Sequence, residues 1–229
     1  MIGQTISHDR VVDRFQYFYF FMSFLIGVVV IYGFGPMVDQ RLFHPSHPKP
    51  FLLTIHAVIF SAWVVFYMVQ SALVRSGNVR IHRVVGWFGV ALGVAIPVVG
   101  TITAVTMRRF DLLDPDLARR APLLRTALLD LTSFTIPFAL AIYWRTNPEL
   151  HRRLMLIASC ALTAAAFVRF PAILHSWPWF YVGVDLLVLL GALRDLIVSR
   201  RVHPVYLGAL PALILAQVTI MNTILHFWR

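Results

Sequence analysis

Apolar runs of membrane-spanning length constrain this chain more than any other feature. A helix needs about 20 mostly apolar residues to cross the hydrocarbon core of a bilayer. Seven stretches reach that length, and only short loops remain between them. The sequence therefore predicts an all-α integral membrane protein, a bundle of seven transmembrane helices in a single domain over residues 1–229. The predicted spans are 15–37, 51–74, 84–107, 126–144, 154–173, 180–198 and 205–227.

The composition supports a membrane protein and excludes several function classes. Only 13% of the residues are charged, about half the usual share of a soluble domain. The single cysteine, Cys160, excludes a disulfide framework or a thiolate metal cluster. The net charge of +10 comes almost entirely from arginines that flank the spans. We interpret it as orientation and contact with the lipid bilayer, not as binding of nucleic acid.

The distribution of basic residues predicts the orientation. The N-terminus and the even-numbered loops hold 11 basic residues, and the opposite side holds 8, excluding Arg169 within span five. Because positive residues are retained on the cytoplasmic side, we expect a cytoplasmic N-terminus and an extracytoplasmic C-terminus.

Small residues predict which helices pack closely. Span three has Gly86, Gly93 and Gly100 at heptad spacing, together with Gly89, and span five contains "ASCALTAAAF". Small residues let helix backbones approach each other in lipid. We expect spans three and five to be the inner packing helices.

Ionisable residues lie at similar depth in five different spans. His56, Asp130, Arg169, Asp185 and His226 each lie within about five residues of the predicted outer boundary. Ionisable groups inside a membrane usually pair with one another or mark a functional site. We expect Arg169 to pair with Asp130 or Asp185 inside the bundle.

Three spans also carry polar stripes, because residues three, four and seven apart share a helix face. We expect these stripes to point into the bundle. They are His56, Trp63 and Gln70 on span two; Thr126, Asp130, Ser133 and Pro137 on span four; and Thr219, Asn222, Thr223 and His226 on span seven.

One arginine cannot neutralise two aspartates, so this polar layer has room for a cation. The first hypothesis is a divalent-metal site of His56, His226 and one or both of Asp130 and Asp185, since imidazole and carboxylate suit zinc, iron or manganese. Asn222 would orient a ligand, and a bound water could be activated for hydrolysis. Whether the chain is an enzyme stays open.

Two other hypotheses remain open beside the metal site. A b-type haem could be held by His56 together with His226 or His175. Alternatively, the chain is an accessory subunit or assembly factor of a larger membrane complex and has no catalytic site.

Two short motifs resemble the seven-span metal hydrolases, the alkaline ceramidase and adiponectin-receptor group. That group combines a His on span two with an H-x-x-x-H pair on span seven. Here His56 lies on span two and Asn222-x-x-x-His226 on span seven. The resemblance implies metal-dependent hydrolysis, with Asn222 in place of the first His of the pair. Paired histidines on different helices are also similar to those of membrane b-type cytochromes.

A longer segment, residues 56–89, resembles a group of uncharacterised multi-span bacterial inner-membrane proteins. The shared pattern is His56, Trp63, Gln70, then "HR" at His82 and "GW" at Gly86. The resemblance implies a bacterial inner membrane and assigns no activity.

Three loops on the predicted inner side end alike, with a His beside a basic residue or a proline. These positions predict a basic surface for anionic lipid or for a partner subunit. The residues are His82, Arg83, His151, Arg152, Arg153 and His203.

Overall fold

The computed structural model describes residues 17–39, 43–44, 50–112, 124–170 and 180–227, except for the side chains of residues 111 and 223–227. This part of the chain is almost entirely α-helical and has no strand, which confirms the all-α prediction. The helices are α1 Phe18–Val38, α2 Leu52–Arg75, α3 Val79–Asp111, α4 Leu124–Tyr143, α5 Pro148–Ala161, α6 Ala164–Phe167, α7 Phe180–Ser199 and α8 Pro204–Phe227.

Six helical segments of the described chain are long and apolar enough to cross a membrane. They are α1, α2, α3, α4, the consecutive α5 and α6, and α8. Helix α7 is not among them, since it carries three charged residues, Asp185, Arg194 and Asp195. The structure therefore supports an all-α chain with six candidate membrane-spanning helices, and the prediction of seven spans stays a prediction.

Helices α5 and α6 lie at the centre of the bundle. They contact α1, α4, α7 and α8, while α2 and α3 extend the bundle between α1 and α4. The α5–α6 segment is 67% buried, whereas no other candidate span exceeds 33%. The prediction that span five is an inner helix is confirmed. The same prediction for span three is wrong, because α3 mainly contacts α2 and α4 and exposes much of its surface to the surroundings.

The glycines of α3 nevertheless support close packing with its two neighbours. A Cβ at Gly89 would overlap the Phe66 ring of α2, and one at Gly93 would overlap the Phe138 ring of α4. A Cβ at Gly86 would have no neighbour within 4 Å in the part of the chain that the structure describes. Small residues at these two contacts therefore admit an aromatic ring against the α3 backbone.

Capping residues determine where α5 and α8 begin. The Asn147 side chain accepts hydrogen bonds from the backbone N–H groups of Glu149 and Leu150, and Pro148 occupies the first helical position. Similarly, the His203 ring nitrogen Nδ1 accepts a hydrogen bond of 3.2 Å from the Val205 N–H. Such caps satisfy backbone donors that have no partner within the helix.

The spans alternate in direction, so the polar residues collect at two ends of the bundle. We call one the His56 end, where Tyr181 of α7 contacts Asp130 of α4. We call the other the arginine end, where Arg153 of α5 contacts Asp195 of α7. Each end brings together residues that are distant in the sequence.

Candidate functional site

The polar face of α2 points into the bundle, as the sequence predicts. Trp63 is 1% exposed and Gln70 is 7% exposed, and His56 on the same face is half-buried. The His56 ring stacks on Phe60, with ring centres 4.0 Å apart. Its Nδ1 atom is buried and has no hydrogen-bond partner in the described part of the chain. The imidazole is thus held by stacking, while this nitrogen is not bonded to any of the described residues.

Both aspartates at the His56 end accept hydrogen bonds from neutral side chains of other helices. The Tyr181 hydroxyl donates to Asp130 Oδ1 at 2.8 Å. The Gln217 amide donates to Asp185 Oδ1 at 3.0 Å. These bonds connect α4 to α7 and α7 to α8, so each carboxylate also serves helix packing.

Arg169 lies just beyond α6, near His56 and Asp130. Its guanidinium donates a hydrogen bond to the Ala165 carbonyl oxygen and lies over the Phe34 ring, 4.4 Å from the ring centre. It also interacts electrostatically with both His56 and Asp130. Three of the residues that the sequence singled out therefore come together. A direct ion pair of Arg169 with an aspartate stays a prediction.

The two described side chains of the predicted polar stripe of α8 do not point into the bundle, and the other two, Thr223 and His226, lie outside the described residues. Thr219 and Asn222 are exposed, and the Thr219 hydroxyl donates to the Leu215 carbonyl at 2.8 Å. The buried residues are Leu213, Gln217 and Met221. Position 217 lies about 200° around the helix from position 219, at 3.6 residues per turn, so burying Gln217 turns Thr219 outward. An inward role for Asn222 is therefore wrong.

Two further predicted ligands cannot be placed, because His175 and the His226 side chain lie outside the described residues. Within those residues, no group of three or more His, Cys, Asp or Glu side chains is positioned to hold a metal ion. Of the predicted ligands that are described, His56 has a ring nitrogen, Nδ1, without a hydrogen-bond partner among these residues, and Asp130 and Asp185 each accept one hydrogen bond through Oδ1.

The arginine end contains a buried ion pair that the sequence did not predict. Arg153 donates from Nε to Asp195 Oδ2 at 2.6 Å and from Nη2 to Asp195 Oδ1 at 2.9 Å. Glu149 accepts from both Arg152 and Arg153, and Arg194 pairs with Asp195 at 3.0 Å. Arg153 is only 3% exposed. Its predicted place on a basic surface is therefore corrected, because its charge is neutralised inside the bundle.

The other predicted basic positions gather at the same end. The rings of His82 and His151 are in contact, with centres 6.2 Å apart, and His151 Nδ1 lies 2.9 Å from the Ala141 carbonyl oxygen. His203 interacts electrostatically with Arg153, and Arg83 is exposed. Their role toward lipid or a partner stays a prediction.

Sequence reasoning missed Tyr181, Gln217 and the Arg153–Asp195 pair. A signal was present for the pair: both residues lie near the same end of adjacent predicted spans and have opposite charges. For Gln217, a single amide on an otherwise apolar helix face could have indicated a polar contact with another helix. Tyr181 gives no signal, because tyrosine is common near membrane boundaries.

Comparison of the chain with protein-family models, with curated proteins and with solved structures found no match.

Proposed function

We propose that the chain is a multi-pass protein of a bacterial inner membrane that binds a b-type haem at the His56 end, where the His56 imidazole would hold the haem. The observation that carries the proposal is a buried imidazole nitrogen without a hydrogen-bond partner among the described residues. A neutral imidazole offers one lone pair for coordination. His175 or His226 would be the second histidine that holds it.

The charges around His56 favour haem over a divalent metal ion. The positive Arg169 interacts electrostatically with His56, and it would repel a bound dication. The same guanidinium suits a haem propionate, because arginine pairs with carboxylates. Asp130 and Asp185 each accept a described hydrogen bond through Oδ1, and a carboxylate that is hydrogen-bonded in this way can still hold a metal ion. A divalent metal at His56, His226 and an aspartate remains the alternative ligand.

A second candidate function, an accessory subunit or assembly factor in a membrane complex, is favoured by one observation. The Asp130–Tyr181 and Asp185–Gln217 bonds connect neighbouring helices. Polar contacts of this kind stabilise helix association without any ligand. In this view the polar layer holds the bundle together and the partner subunits meet other surfaces.

The test is an absorption spectrum of the purified protein, together with its metal content. Haem binding predicts a Soret band, and His56→Ala should abolish it. His44→Ala is a matched control, because His44 follows α1 at the same end and its side chain is 81% exposed. This variant should retain the band. His175→Ala and His226→Ala then identify the second ligand.

Other outcomes would decide against haem. Stoichiometric zinc, iron or manganese without a Soret band would support the metal site. The absence of both would support the accessory-subunit function. A Soret band that survives His56→Ala would contradict the assignment of His56.

We also propose that the N-terminus and the arginine end are cytoplasmic. The excess of basic residues on that side supports this orientation, and α7 would then be the seventh span. A C-terminal reporter that is active only in the cytoplasm should be silent, and an active reporter would reverse the orientation.

A further inference from the structure

The arginine end holds more positive than negative charge. We define the arginine cluster as the charged and tyrosine side chains that meet there from α1, α5, α7 and α8. Three arginines face two carboxylates, and both carboxylates are already paired with arginines. One positive charge is therefore in excess. The members are Tyr19, Glu149, Arg152, Arg153, Arg194, Asp195 and Tyr206.

The guanidinium groups of the cluster converge on Tyr19. Arg152 Cζ lies 5.3 Å from the centre of the Tyr19 ring, and Arg194 Cζ lies 5.6 Å from it. Tyr19 interacts electrostatically with both, and also with Arg153. Tyr206 of α8 interacts with Tyr19 as well. Side chains of four helices thus surround one small region.

Four hydrogen-bond donors of this region are buried and have no hydrogen-bond partner in the described part of the chain. They are Nε of Arg152, Nε of Arg194, and the hydroxyls of Tyr19 and Tyr206. The Tyr19 and Tyr206 side chains interact with each other, yet their hydroxyls do not have the geometry of a hydrogen bond. Buried polar groups are normally hydrogen-bonded. Donors in excess together with a positive charge suit an anion that has several acceptor oxygens.

We propose that the arginine cluster binds a phosphate group, with Tyr19, Arg152, Arg194 and Tyr206 as donors. This inference is independent of the His56 end. A phosphodiester carries one negative charge, which matches the single excess positive charge of the cluster, and its oxygens can accept from several donors. The phosphate could belong to the headgroup of an anionic phospholipid or be free in solution.

The position of the cluster favours the lipid headgroup. Tyr19 lies in the first turn of α1, and Tyr206 lies in the first turn of α8. Arg152 lies near the start of α5, and its side chain is 35% exposed. Basic pockets between transmembrane helices at the membrane boundary are typical sites for anionic headgroups.

Thermal unfolding of the full-length protein in detergent micelles tests the proposal and separates the two sources. Phosphatidylglycerol, phosphatidylcholine and inorganic phosphate would be added separately. A ligand that binds only the folded state raises the unfolding temperature. We expect phosphatidylglycerol to raise it by several degrees, and phosphatidylcholine, whose headgroup has no net charge, to raise it much less. A rise with inorganic phosphate alone would identify free phosphate as the ligand.

Two conservative variants test the donors without removing a charge. Tyr19→Phe and Tyr206→Phe each delete a hydroxyl that has no partner among the described residues, so both should fold as the wild type does. Each should lose most of the phosphate-dependent rise. Tyr143→Phe is the matched control, because Tyr143 is 74% exposed at the same end. It should retain the full rise.

Arginine variants provide a second, independent measurement. Arg194→Gln should also lose the phosphate-dependent rise in unfolding temperature. Arg201→Gln, at an exposed position beyond α7, should keep this rise. If Arg194→Gln does not fold, the tyrosine variants decide. The proposal would be overturned by no rise with any phosphate, by equal rises with both lipids, or by an unchanged rise in both tyrosine variants.

Discussion

Arg153 and Asp195 form a two-pronged ion pair across the α5–α7 interface. The two nitrogen–oxygen distances are 2.6 Å and 2.9 Å. Arg153 is 3% exposed and Asp195 is 0% exposed, so neither charge reaches the surroundings. Arg153 also donates to the Glu149 backbone carbonyl at 2.8 Å, which fixes the guanidinium against its own helix.

Removing one partner of this pair should be costly. Arg153→Leu leaves Asp195 with Arg194 as its remaining described partner, and breaking a buried pair typically costs about 3–5 kcal/mol. The free energy of unfolding in mixed micelles should fall by that amount, and Arg153→Leu combined with Asp195→Leu should recover part of the loss. Arg201→Leu is the exposed control and should change the value by less than about 0.5 kcal/mol. Equal losses in Arg153→Leu and Arg201→Leu would contradict a stabilising pair.

The hydrogen bond between Tyr181 and Asp130 should contribute modestly to stability. Tyr181→Phe removes the donor and keeps the ring, and interhelical hydrogen bonds in membrane proteins average about 0.6 kcal/mol, with a maximum near 1.7. Unfolding in mixed micelles should show a loss in that range. Tyr32→Phe, in a tyrosine that is 55% exposed, should show none. A larger loss of stability in Tyr32→Phe than in Tyr181→Phe would contradict a stabilising bond between Tyr181 and Asp130.

Replacement of Gly33 by alanine should destabilise the protein, whereas the same replacement of Gly35 on the same helix should be tolerated. A Cβ at Gly33 would lie 2.5 Å from the Ala166 carbonyl oxygen and 2.8 Å from the Ala166 Cα atom, and backbone cannot move aside cheaply. Gly33→Ala should therefore lower the free energy of unfolding by about 1–3 kcal/mol. A Cβ at Gly35 has no neighbour within 4 Å among the described residues, so Gly35→Ala should be neutral or slightly stabilising. Similar values for the two variants would show that α1 and α6 do not approach this closely.

The cap at the start of α8 should make stability depend on pH. Burial lowers the pKa of His203, and the nearby Arg153 charge lowers it further, against the opposing effect of Asp195. Because the folded state binds the proton less readily, this stability is fully present above the unfolded pKa of about 6.5. It is lost as the pH falls below that value toward the lower folded pKa. Protonation also prevents Nδ1 from accepting the Val205 N–H.

His203→Asn tests this dependence, since asparagine caps helices without titrating in this range. Unfolding free energies at about pH 7.5 and pH 5.5 would be compared for both proteins. The wild type should lose more stability at the lower pH than the variant does. Equal losses would exclude His203 as the responsible group.

Depth in the bundle could be predicted from the sequence, whereas rotation of the helices could not. Each residue advances a helix by 1.5 Å, so counting along the spans placed His56, Asp130 and Arg169 at a common level. The rotation of α8 depends on which face its neighbours cover. Leu213 and Met221 flank Gln217 on the buried face, and Thr219 was therefore turned outward, against expectation.

Neutral partners explain the rest of what was missed at the His56 end. Charge balance predicted room for one cation in the polar layer, and it gave no sign that a tyrosine hydroxyl and a glutamine amide donate to the two aspartates. Such donors do not stand out among the many polar residues near the span ends.

The central position of α5 and α6 has a consequence for how the protein is made. This segment is the least apolar of the six candidate spans, although it is the most enclosed by protein. A helix that is surrounded by other helices does not have to be strongly apolar. By itself, such a helix would partition only weakly from the insertion machinery into the bilayer. Its extensive contact with α4, the helix made just before it, suits entry into the membrane as a hairpin. The four helices synthesised earlier would then cover part of the α5–α6 segment, and α7 and α8 would cover the rest of it once they are inserted.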